Sequence, residues 1–113
     1  MIQKSGDASP PSGNLEDRAA ARFAELMREW KAEKQFMSSV SQMAMLPSYQ
    51  RIIGMGSAVL PLIFKELDRQ PDHWFWALAS ITGEDPVPPA HRGKIGMMRQ
   101  AWLDWGKANG YLN

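Results

Sequence analysis

A chain of 113 residues with 13 basic and 12 acidic side chains, five Trp, eight Met and no cysteine has room for one domain around one ordinary core. The missing cysteines exclude a disulfide scaffold, thiolate metal sites and a Cys nucleophile. A formal charge of +1 argues against a general nucleic-acid binder, whose affinity comes from a basic excess.

The stretch from Met1 to Gly13 is polar, contains Pro10-Pro11 and lacks the apolar core of a secretory signal; it reads as a disordered tail. Residues 14–113 then form a single helical domain. Asn14 is placed to cap a first helix, with Glu16 and Asp17 in its first turn. Apolar residues recur at Ala19, Phe23, Leu26, Trp30, Met37 and Val40, with Glu33 standing where another is expected. That spacing predicts an amphipathic helix of at least five turns. Its other face carries Arg18, Arg22, Glu25, Arg28, Glu29, Lys31 and Lys34, which reads as a solvated face.

Ser38, Ser39 and Ser41 weaken the helix, and Pro47 forces Leu46 out of helical geometry, so a break falls between about Ser38 and Pro47. Pro47 opens a short second helix to about Ile53, ended at Gly54 and Gly56. Ser57 caps a third, to about Arg69, with Val59, Leu60, Ile63, Phe64 and Leu67 apolar. Pro71 starts a fourth, to Ile81 or Thr82, stopped by Gly83. Its residues Trp74 to Ile81 are apolar around most of the circumference, so the helix is buried or meets a partner.

The run Gly83–Pro89 holds three prolines in four residues and predicts a stiff, extended connection. The last helix runs from Pro89 or Ala90 to Ala108, with Ile95, Met98, Ala101, Trp102 and Trp105 on one stripe. That stripe is expected to pack on the first helix or on Trp74–Ile81. No stretch alternates with period two, so the fold class is all-α: a compact bundle of about five helices. The longest uncharged apolar runs, such as Ala58–Phe64, are far short of the ~20 residues that span a bilayer, and a cytoplasmic location is expected.

The piece IIGMGSAVLPLIFKELDR, Ile52 to Arg69, resembles half of a HEAT-type helical repeat, which implies a local helix–turn–helix. From Pro47 onward, the segments SYQRIIGMG, PDHWFWALASITGEDPVP and AWLDWGKANGY resemble a family of small uncharacterised bacterial proteins. That resemblance implies a bacterial origin and assigns no activity.

Asp72, His73, Glu84, Asp85 and His91 suggest a metal site, but the two histidines are separated by the proline-rich turn and no HxxxH or HExxH pattern exists. Asp72 and His73 are better placed as first-turn residues facing the helix dipole. No GxSxG, SxxK or GK[ST] pattern is present, so neither an enzyme nor a cofactor is expected. The strongest local signal is Asp72-His73-Trp74-Phe75-Trp76. Trp74 and Phe75 are expected in the core, with Trp76 lying against the first or last helix.

The indoles nevertheless exceed what one small core needs to enclose, and Trp is enriched at interface hot spots. Candidate binding residues are Trp30, Trp76, Trp102, Trp105 and His73. The expected function is a non-catalytic protein–protein interaction module, regulating or neutralising a protein partner as antitoxins and immunity proteins do, or binding its own copy. Two other classes remain open. One is a nucleic-acid-binding helical protein, in which Arg92, Lys94 and Arg99 join the cations of the first helix. The other is a small enzyme or ligand pocket near Pro71–Gly93, holding His73 or His91 near Glu84 or Asp85.

Overall fold

The computed structural model describes residues 14–113, and the tail expected over 1–13 lies outside the described residues. Helix α1 (Leu15–Lys34) begins where Asn14 Oδ1 accepts from the Glu16 N–H at 2.7 Å. Phe23, Leu26 and Trp30 form its buried stripe. Glu33, the misfit on that stripe, accepts a 3.1 Å hydrogen bond from the hydroxyl of Ser48, a fully buried polar residue.

The helix ends at Lys34, before the Met37 and Val40 positions that the periodicity had placed on it. The Ser39 hydroxyl accepts from the Gln42 N–H and starts a separate short helix, α2 (Val40–Ala44). A serine in this place competes with helix continuation by capping the next one. Helix α3 (Pro47–Gly54) opens with Pro47 in its first turn, where a missing N–H costs nothing. A 3₁₀ turn, Gly56–Val59, then leads into α4 (Leu60–Arg69). Ser57 does not cap α4: it lies inside the 3₁₀ turn, where its backbone carbonyl accepts from Leu60.

Helix α5 (Phe75–Thr82) starts four residues later than Pro71 suggested and stops at Gly83 as expected. Helix α6 (Ile95–Ala108) also starts late. Only a 3₁₀ turn forms over Pro89–His91, and Gly93, at φ +83°, takes a left-handed conformation that ends it. At its far end, Tyr111 N–H bonds to the Gly106 carbonyl and Gly110 N–H to the Lys107 carbonyl. These paired bonds are a Schellman closure.

All regular elements among the described residues are helical, and no helix there is long and apolar enough to cross a membrane. Helix α1 lies on α3 and the Gly56–Val59 turn, while α6 packs on α4 and α5. The seat of α6 is therefore chiefly Phe64 of α4 rather than α1. The helix–turn–helix expected of Ile52–Arg69 is present, but α3 packs chiefly on α1 and α5, and α4 on α6.

The core has two aromatic centres. In the first, Trp30 and Trp74 lie 4.7 Å apart between centroids, Trp30 and Tyr49 4.9 Å, and Phe23 and Trp74 5.6 Å. The Trp30 indole N–H finds the Met43 carbonyl at 3.0 Å, which satisfies its one polar atom. In the second, Phe64 stacks on Trp105 at 5.9 Å and on Tyr111 at 5.4 Å, with Trp102 at 6.4 Å. Gly106 makes that stack fit, because a Cβ there would stand 2.8 Å from two ring carbons of Phe64. Phe64 is fully buried and cannot swing away. Gly106→Ala is therefore expected to destabilise by about 1–3 kcal/mol through overpacking, although alanine is the better helix former. A thermal melt measures it, and an unchanged or higher midpoint would contradict this packing.

Candidate binding cleft

The segment between α4 and α5 is held by a charge cluster that reaches back to α1. Asp72 carries Lys31 at 3.3 Å on one carboxylate oxygen and Lys34 at 3.2 Å on the other, while its Oδ1 also accepts from the His73 N–H at 2.8 Å. Lys34 lies over the Trp30 ring as well, 4.8 Å from its centroid. Burial pushes the Asp72 carboxyl up, but the His73 N–H and the ammonium groups of Lys34 and Lys31 outweigh it and hold it below its ordinary range. Asp72 is thus not a first-turn residue of α5. Its partners on α1 draw it out of line, and that is why the helix starts at Phe75.

A carboxyl with a depressed native pKa stabilises the fold above its ordinary value of 3.8. The contribution is lost as pH falls through the lower native value. Asp72→Asn should therefore melt below the parent at pH 7, and the gap should narrow at pH 3 and below. A gap that stays constant over that range would show that the ion pairs contribute nothing.

Tyr49 of α3 does what no side chain of α5 does. Its hydroxyl accepts from the Ala77 N–H in the first turn of α5 and donates to the His73 carbonyl, both at 2.9 Å. Burial pushes the phenol well above its ordinary range; the Ala77 N–H opposes this and the Asp72 charge adds to it. The hydroxyl therefore stays protonated and donating. Together Asp72 and Tyr49 fix the positions of His73 and the start of α5.

Between α5, α6 and the Gly83–Gly93 connection lies a cleft of about 390 Å³. Phe75 and Ala79 of α5, Val87 of the connection, and Met98 and Trp102 of α6 line it, and Phe75, Val87 and Trp102 are buried. Val40, Trp76 and Ile95 also line it and are exposed by 44%, 46% and 38%; they form its apolar rim. The polar residues on it are His73 and Asp85. The Asp85 carboxylate is already engaged, by Arg92 at 2.5 Å and by the Val87 N–H at 3.3 Å. The His73 side chain makes no hydrogen bond among the described residues.

Of the residues singled out in the sequence, Trp76, Trp102 and His73 meet at this cleft. Trp105 lines a neighbouring groove with Pro86, Pro88 and His91, away from the cleft. Trp30 is fully buried and offers no surface. Trp76 does not lie sealed against the first or last helix; it stands half in solvent. Val40 and Ile95 escaped notice because their spacing assigned them to the core stripes of α1 and α6. One signal existed for Val40, since Gln35 to Gln50 contains no charged residue; the structure leaves Phe36 and Met45 of that stretch exposed as well.

The cations considered for nucleic acid are largely engaged. Lys31 and Lys34 bind Asp72, Arg22 binds Glu25 and Arg92 binds Asp85. Arg99 does not join them: its guanidinium donates to the Leu67 and Asp68 carbonyls at 2.7 Å each and closes the C-terminal end of α4. Phosphates would have to compete with all of these. Among the described residues, no group of three or more His, Asp or Glu side chains is arranged to hold a metal. No family model, no curated protein and no solved structure matches the chain, so its function has to be read from the cleft itself.

Proposed function

We propose that this chain is a non-catalytic protein-binding module whose contact surface is the cleft between α5 and α6. The observation that carries this reading is the convergence of Val40, Trp76 and Ile95, exposed apolar residues from three helices, on the rim of one concavity. The core closes without them: Trp74 and Tyr49 are enclosed with Phe23 and Trp30 of α1, and Trp102 with Phe64. None of the three rim residues belongs to the buried cluster or to the partly buried residues packed against it. Exposed apolar groups gathered around a hollow mark an interaction site, whereas scattered ones carry no such meaning. The chemistry in the hollow supports binding over catalysis, since Asp85 is neutralised by Arg92 and no hydroxyl or thiol nucleophile lines it.

Photocrosslinking tests the reading. A benzophenone amino acid replacing Trp76 should give a discrete protein adduct in the cell, and the same group replacing the exposed Lys107 should not. Equal labelling from both positions would remove the cleft as a contact surface.

A further inference from the structure

We propose that the protein occupying the cleft is a second copy of this chain, each copy seating its Trp76 indole in the hollow of the other about a two-fold axis. This rests on the reading of the cleft as a protein-binding surface. A two-fold contact lays one patch on itself, so the patch must offer both a projection and a hollow. Here they are adjacent: Trp76 stands half-exposed on the rim of a hollow of about 390 Å³. That volume lies in the ~300–1,000 Å³ range of pockets that enclose small ligands, ample for one indole.

Charge favours a copy over a strongly acidic or basic partner. The ion pair beside the hollow, Asp85–Arg92, is satisfied within the chain. The flanking Glu84 and Lys94 have opposite signs, and neither forms an ion pair among the described residues. A copy brings the complementary sign to each, whereas a charged partner would meet one of them with its own sign. The uncharged stretch Gln35–Gln50, which reaches the rim through Val40, adds no repulsion. A formal charge of +1 leaves little long-range repulsion between copies, and near-neutral chains associate most readily.

Area sets the extent of the contact. A specific dimer buries about 800 Å² per partner, and half an indole supplies only about 100 Å² of it. The contact must therefore spread along the rim well beyond the indole.

Sedimentation velocity on the full chain, from about 1 to 500 µM, should show conversion to a species of twice the 12.7 kDa chain mass. Trp76→Glu should weaken dimerisation at least ~30-fold, as expected for a central aromatic anchor. Its melting temperature should stay within a few degrees of the parent, and Trp76→Phe should restore part of the association. If Trp76→Glu fails to fold, Ile95→Glu on the opposite side of the rim serves instead, with the same loss expected. A monomer at every concentration overturns the proposal, as does a dimer indifferent to either variant. So does a monomer whose native mass carries a small molecule displaced by filling the cleft with Ala79→Leu. A monomeric chain that still crosslinks another protein from position 76 overturns self-association and leaves the protein-binding reading standing. A monomer without any crosslink removes both.

Discussion

Trp102→Ala is expected to leave the chain unfolded or molten near room temperature. The indole is 1% exposed and packs against Phe64 and, edge to face at 5.6 Å, against Trp105. Removing a buried aromatic costs about 3–5 kcal/mol, a large part of the ~5–15 kcal/mol that holds a domain of this size. In a thermal melt that is a fall of roughly 15–30 °C. Lys107→Ala, exposed in the last turn of the same helix, should change stability by no more than ~0.5 kcal/mol. A Trp102→Ala melt within a degree or two of the parent would mean that α6 does not sit on Phe64.

The second large effect separates two neighbours in sequence. Trp74 is fully buried between Phe23, Trp30 and Tyr49, so Trp74→Ala should again cost about 3–5 kcal/mol. Trp76, two positions on and half in solvent, leaves no cavity when truncated, and Trp76→Ala should cost under ~1 kcal/mol. Chemical denaturation of both variants reads the difference. Comparable losses would show that Trp76 belongs to the core and would take the rim of the cleft with it. Loss of association in Trp76→Ala at near-parental stability is the pattern the cleft requires.

The apolar stripe of α1 was legible because Phe23, Leu26 and Trp30 repeat at helical spacing and are buried on one face. The end of α5 was legible for a different reason, since Gly83 closes it. Its start was not. Pro71 is a good first-turn residue by local rules, and what overrides it is Asp72 bound to two lysines of α1. No local rule contains a partner so distant along the chain. Glu33 was visible as an exception on an apolar stripe, but its hydrogen bond to Ser48 depends on how α3 crosses α1.

The cleft was half legible. Aromatic excess pointed to Trp76, and the clustering of His73 and Asp85 around the proline-rich corner pointed to its location. Periodicity, which reports one helix at a time, assigned Val40 and Ile95 to core stripes. Whether a residue at the end of a stripe meets a neighbour or a hollow is decided by where the next helix stops. Here that is the late start of α6 at Ile95.

The Tyr49 hydroxyl gives the fold a timetable. Both of its partners, the His73 carbonyl and the Ala77 N–H, lie after it in the chain, the farther one 28 residues on. At ~5–20 residues per second of synthesis, Ala77 leaves the ribosome roughly 1–6 s after Tyr49. Over that interval α1 and α3 can pair, but the first aromatic centre still lacks Trp74, and Trp30 and Tyr49 stay open on one side. Folding during synthesis is therefore expected to pass through a stage in which Trp30 and Tyr49 each keep one face uncovered, and chaperones that hold nascent apolar segments would meet this chain there.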